Sequence, residues 1–173
     1  MSRILLADDS PQALRLAEQI LTAQGLEVVS VTDGAVALRR LSDVNPDLLI
    51  TDVYLPTKNG FDLARFMRAQ NQYRDVPVIF AAAPADKFEE QDARNAGADV
   101  ILRKPFEASA LLSAVQELLQ KRSTKKAASN GALTAALDRS TIRAAVTLAL
   151  ETAMPSLIEE LTERVMLALS HTA

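Results

Sequence analysis

Five short apolar runs recur along the first part of the chain: RILLAD (3–8), LEVVSVT (26–32), DLLITD (47–52), PVIFAAA (77–83) and DVILR (99–103). Each has the length of a strand. Several are apolar on both faces, which suits parallel strands covered by helices on either side. The segments between them have helical period. In 11–24, Leu14, Ala17 and Leu21 fall on one face; in 107–122, Leu111, Val115, Leu118 and Leu119 do. Ser10 before Pro11 reads as an N-cap followed by a first-turn proline. Gly25 and Gly97 read as helix stops. Five strand–helix units in this length predict an α/β domain: a doubly wound, five-stranded parallel sheet with right-handed crossovers.

The pattern ends near residue 122. The stretch KRSTKKAASNG (121–131) is basic, small and polar, with Asn130-Gly131 as a breaker, and reads as a linker. The expected organisation is a domain over 1–122, a linker over 123–131 and a C-terminal helical extension over 132–173. The chain of 173 residues is long enough for one domain with a full core and a small appendage. Its net charge of −3 gives no sign of a nucleic-acid surface. It has no cysteine, which excludes disulfides, thiolate metal sites and cysteine nucleophiles. MSRILLADDS lacks the features of a signal peptide, and no apolar run is long enough to span a bilayer. The expectation is a cytoplasmic protein with no membrane partner.

In an open α/β sheet, ligands bind beyond the carboxyl ends of the strands, where strand order reverses. Asp8 and Asp9 end the first run and Asp52 ends the third. In a sheet ordered 2-1-3-4-5 these runs are neighbours, so three carboxylates converge on one edge, and Lys104 after the fifth run joins them. Two carboxylates about 4 Å apart repel by ~4 kcal/mol at an effective dielectric near 20. Either one stays protonated or a cation binds. Oxygen-only ligands in a small open site suit Mg²⁺ with water completing its octahedron. Taken alone, Asp-Asp at a strand end is a turn or a helix cap. The ordered set ADDS, ITDVYLP, AGAD and RKPF argues for a site, because each piece falls at a strand's carboxyl end or just before the next strand.

These residues carry a resemblance. Over residues 1–122, ILLADDS, PDLLITDVYLPTKNGFDL, PVIFAAA and NAGADVILRKPF resemble the receiver domain of two-component response regulators, of the kind found in chemotaxis regulators. The resemblance implies a flavodoxin-like sheet order 2-1-3-4-5 and a phosphorelay role in bacterial signal transduction. It implies that Asp52 accepts the phosphoryl group. It further implies that Asp9, Asp52 and the backbone carbonyl of Tyr54 bind Mg²⁺, with Asp8 reaching it through water. Lys104 would pair with the phosphoryl oxygens, and the bond to Pro105 would be cis. A carboxylate attacking phosphorus needs charge neutralised at the phosphoryl oxygens, and a cation with a lysine supplies that.

Two positions depart from the family pattern. Relatives usually carry Ser or Thr at the end of the fourth strand, where this chain has Ala82, and Tyr or Phe on the fifth, where it has Ile101. A hydrogen bond to a charged group contributes ~1.5–3 kcal/mol, so its loss weakens the active state ten-fold or more. An alignment slip would instead let Thr51 or Ser109 supply the hydroxyl, but neither ends the fourth strand. Tyr54 is bulky for its place; it either shields the acyl phosphate or is a half-exposed loop aromatic. The lone histidine, His171, sits near the chain end. The chain is therefore no histidine kinase of its own. It is expected to be an acceptor that assists its own phosphorylation rather than an enzyme, with the donor supplied by a histidine kinase, a phosphotransfer protein or a small molecule.

Beyond the linker, Val146, Leu150, Met154, Leu157, Leu161, Val165 and Ala168 form an apolar stripe that continues across Pro155. Ser156 with Glu159 has the spacing of a capping box, so a helix restarts there. So short a unit cannot close its own core; packing on the receiver, on a second copy as a homodimer through 138–169, or on a partner is expected. Balanced charges argue against a DNA-recognition face. The leading reading is a phosphorylated receiver that signals through protein contacts. Its rivals are a degenerate receiver acting only as a binding module, and a DNA-binding transcriptional regulator with a minimal helical output.

Overall fold

In the computed structural model, residues 2–136 and residue 143 are described. The apolar stripe beyond Arg143 and His171 lie outside the described residues. The chain divides into two units, Met1–Lys125 and Lys126–Ala173. The first contains the whole sheet.

Strands β1 (Arg3–Ala7), β2 (Glu27–Val31), β3 (Leu48–Asp52), β4 (Val78–Ala82) and β5 (Val100–Arg103) pair in parallel in the order β2-β1-β3-β4-β5. Helices α1 (Pro11–Thr22), α2 (Gly34–Val44), α3 (Gly60–Ala69) and α4 (Glu90–Ala96) connect them, and α5 (Ala108–Ala136) follows β5. The order is the one expected. It results from the doubly apolar strands: β3 and β4 are buried at every residue, so they can only be central.

Successive strand residues feed opposite cores. Ile4, Leu6, Leu48, Ile50 and Ile79 pack with Leu14, Leu21, Leu111, Val115 and Leu118 of α1 and α5. Leu5, Leu49, Val78 and Phe80 pack with Leu41, Leu63, Met67 and Ala93 on the other face. Each fully buried aliphatic side chain contributes about 1.5–3 kcal/mol. A slip of β3 by one residue would exchange its two faces, so the packing also fixes where the strand ends and hence where Asp52 lies.

The caps are those of the sequence pattern. The Ser10 hydroxyl accepts from Ala13 N–H at 3.4 Å to open α1. Asn59 and Asp62 form a reciprocal capping box on α3. Gly97 closes α4 at φ 112°, a left-handed conformation that disfavours any side chain.

The breaker reading of Asn130-Gly131 is corrected: residues 123–131 are helical, and α5 runs through them. Ser123 and Thr124, which looked like linker residues, donate their hydroxyls to the carbonyls of Leu119 (2.9 Å) and Lys121 (2.8 Å). Lys, Arg and Ala are good helix formers, and one glycine costs only about 1 kcal/mol in a helix, too little to end it. The division between Lys125 and Lys126 still falls inside that stretch.

Candidate functional site

The site is assembled from strand ends. Asp8 directly follows β1 and is 4% exposed, while Asp9 beside it faces solvent. Asp8 is held on both sides: its N–H donates to Val31 O at 3.1 Å, and its Oδ1 accepts from Ser10 N–H at 2.9 Å. The immediate start of α1 at Pro11 makes that turn so tight. Asp52, the last residue of β3, is 8% exposed. Lys104 follows β5; its N–H donates to Ala82 O at 2.7 Å, and the Lys104–Pro105 bond is cis.

These residues converge. Lys104 Nζ lies 2.6 Å from Asp8 Oδ2 and 3.2 Å from Asp52 Oδ2. Carboxylate oxygens of Asp8, Asp9 and Asp52 all lie within 4.8 Å of one another. Burial pushes the Asp52 carboxyl above the usual carboxylate range; Lys104 pulls it back, and the neighbouring Asp8 pushes it up again. Burial also opposes the charge on Lys104, but its bonds to Asp8 and Asp52 and their attraction outweigh that, and its pKa is raised. One lysine therefore leaves three carboxylates under-neutralised. The donors are all oxygens, mutually close and open to water at Asp9, and they fit a small hard cation.

The loop after β3 is tied down around Asp52. Val53 N–H donates to Asp52 Oδ1 at 2.8 Å. Gly60 N–H donates to Val53 O at 2.9 Å, and a Cβ on Gly60 would stand 2.5 Å from the Asp52 carbonyl oxygen. Only glycine lets α3 begin so close. Thr57 sits at φ 68°, strained for a β-branched residue, and its hydroxyl bonds to the Asp33 carboxylate. Tyr54 is 47% exposed, and its hydroxyl donates to Lys87 O at 2.9 Å, across the gap to the loop after β4.

The two departing positions offer no polar group. Ala82 is fully buried, and Ile101 packs against the core with Phe61 and Phe88. Thr51 and Ser109 do not substitute: Thr51 Oγ1 donates to Asp52 O at 3.0 Å, and Ser109 Oγ to Glu107 Oε2 at 3.2 Å. The sequence reading missed Val53 N–H, the Lys87 carbonyl and Phe88. Backbone groups leave no signature in residue type. Phe88 stood in a stretch without helical or strand period, so nothing marked it as packed.

Residues 4–116 match the response regulator receiver domain family. PilG of Pseudomonas aeruginosa is 28% identical over 114 residues, covering 66% of this chain and 84% of that protein. The transcriptional regulatory protein GltR of the same species is 35% identical, covering 68% of this chain but 49% of GltR. The chain thus spans about half the length of the transcriptional regulators it matches. Among solved structures, the receiver domain of the sensor histidine kinase PA1611 superposes with a TM-score of 0.63 at 31% identity, covering 69% of this chain and 98% of that one. That structure has a magnesium ion coordinated in its active-site cleft.

Proposed function

We propose, from the premise that this chain belongs to the response regulator receiver family, that Asp52 accepts a phosphoryl group in a Mg²⁺-dependent reaction. Receiver domains of this family bind Mg²⁺ at an acidic pocket and take phosphoryl groups from histidine kinases or phosphotransfer proteins. The observation that carries the reading is the meeting of Asp8, Asp9 and Asp52 with Lys104 at one sheet edge.

In this reading Asp9, Asp52 and the Tyr54 carbonyl hold the cation, and Asp8 reaches it through water. When bound, the cation neutralises charge on the phosphoryl oxygens. Asp52 attacks phosphorus through a carboxylate oxygen. With acetyl phosphate as donor, the bond from phosphorus to the acyl oxygen breaks and acetate leaves, so no proton has to move. Lys104 exchanges its contact with Asp52 for the arriving phosphoryl oxygens while Asp8 keeps it oriented. The cytoplasm, with Mg²⁺ and phosphoryl donors at hand, is the setting this chemistry needs.

The same reading assigns 1–122 to the receiver, 123–131 to a helical linker and 132–173 to a segment that joins two copies. The apolar stripe in its sequence supports that, and its balanced charges favour a protein contact over DNA. Intact mass spectrometry after incubation with acetyl phosphate should show one added phosphoryl group with Mg²⁺ and none with EDTA. Undiminished modification in EDTA would contradict the metal assignment.

A further inference from the structure

The loop joining β4 to α4 touches the acceptor side of the site through one polar link. Among the described residues, the hydrogen bond from Tyr54 hydroxyl to Lys87 O is the one that ties 83–88 to a different loop. The loop's other bonds are internal: Ala83 N–H donates to the Asp86 carboxylate at 2.6 Å, and Asp86 N–H to Ala83 O at 3.0 Å. Ala82, at the base of the loop, ends in a methyl group and cannot bond to anything added at Asp52. A change at the acceptor therefore has no side-chain route through the end of β4, whose polar links to the site are backbone ones: Val53 N–H to Ala81 O at 3.2 Å and Lys104 N–H to Ala82 O at 2.7 Å.

A route through Tyr54 is continuous. The Asp52 carboxylate is bonded through Oδ1 to Val53 N–H, which also donates to Ala81 O at 3.2 Å, so a new group on that carboxylate perturbs this shared bond and the backbone leading into Tyr54. The hydroxyl of Tyr54 carries that shift to the Lys87 carbonyl. The next residue, Phe88, has its ring edge-on to Phe61 at 5.8 Å, and the Arg103 guanidinium lies 4.9 Å from its centre. Arg103 also reaches Glu90, the first residue of α4, at 3.5 Å. Individual ring and cation contacts of this kind are weak. Such a chain can re-pack, unlike a fully buried core.

We propose that Tyr54 is the positioning residue that couples the state of Asp52 to the β4–α4 loop and the start of α4, through its hydroxyl bond to Lys87 and the Phe88 ring between Phe61 and Arg103. This inference rests on the proposed role of Asp52 and names how that site is read out. It gives Tyr54 a use beside the two left open for it, shielding of the acyl phosphate and a half-exposed loop aromatic, and that use belongs to its hydroxyl.

The test uses the full chain with Mg²⁺ and beryllofluoride as a phosphoryl mimic. Fluorine NMR reports occupancy of the site, and amide shifts report the loop. In wild type, occupancy should shift the amides of Lys87, Phe88 and Glu90. Tyr54→Phe keeps the ring and removes only the hydroxyl. It should bind the mimic, lose most of the shift at all three amides, and exchange the amide hydrogens of 85–88 about five-fold faster before binding, as loss of one neutral hydrogen bond implies. Phe88→Leu should bind the mimic, keep the shift at Lys87 and lose it at Glu90, an ordering that a merely structural role would not produce. Bound mimic with equal loop shifts in wild type and Tyr54→Phe overturns the inference alone. Absence of a bound fluorine signal in wild type overturns the role of Asp52 and the inference with it.

Discussion

At the scale of the residue, Asp52 sits at a cost to stability. Its carboxyl is raised above the ordinary range by burial, so the folded state holds its proton to higher pH than the unfolded state does. Between the unfolded value of 3.8 and the folded one, the native protein binds more protons, and stability falls as pH rises through that window. Above the folded value the penalty is present in full. Asp52→Asn should therefore be more stable than wild type at pH 7 in EDTA, by about 1 kcal/mol, even though Lys104 loses one of its two partners. Urea melts should show that gain shrinking as the pH is lowered below the window, where wild-type Asp52 is neutral. A variant less stable than wild type at pH 7 would mean that the Lys104 contact outweighs burial. The direction matters for function: a buried carboxylate short of positive charge gains from any cation that joins it.

At the scale of the element, what could be read in advance follows a physical divide. Strand ends were legible because a doubly apolar run has to stop where charge begins, and Asp8, Asp52 and Lys104 stand at those stops. The caps at Ser10 and Gly97 were legible because backbone geometry restricts the residue type there. The path of 83–89 was not, because it depends on where Tyr54 and Phe61 stand, and both come from a different loop and helix. The extent of α5 was misread for an opposite reason: Ser123, Thr124 and Gly131 look like turn residues locally, yet each costs too little to stop a helix already formed. Gly60 is the case where element and site meet. Gly60→Ala would place a Cβ against the Asp52 carbonyl, which is backbone and cannot swing away. The expected loss is on the order of 2–3 kcal/mol in thermal or urea unfolding, with weaker Mg²⁺ binding, because the Asp52–Tyr54 backbone must move. Unchanged Mg²⁺ affinity in a folded Gly60→Ala protein would show that the close approach does not position the site.

At the scale of the whole molecule, the receiver unit is accounted for from its own two cores, and the C-terminal stripe is a separate matter. Leu161→Glu would place a carboxylate in the stripe; if two copies pair there, the charge must be buried unpaired or the pairing lost. Light scattering at tens of micromolar should give a dimer for the full chain, and a monomer for Leu161→Glu and for a chain ending at residue 128. The far-ultraviolet signal of the receiver should persist in both. A monomeric full chain would exclude self-association and leave docking on the receiver or on a partner protein as what the stripe meets.

The central claim is that phosphorylation falls on Asp52 and nowhere else. After reaction with acetyl phosphate and Mg²⁺, reduction with borohydride converts an aspartyl phosphate to homoserine, and tandem mass spectrometry of the peptides locates it. The account predicts homoserine at position 52, absent when EDTA replaces Mg²⁺ and absent in Asp52→Asn. Homoserine at position 8 or 9 in wild type, or a phosphoryl adduct that survives in Asp52→Asn, would contradict it.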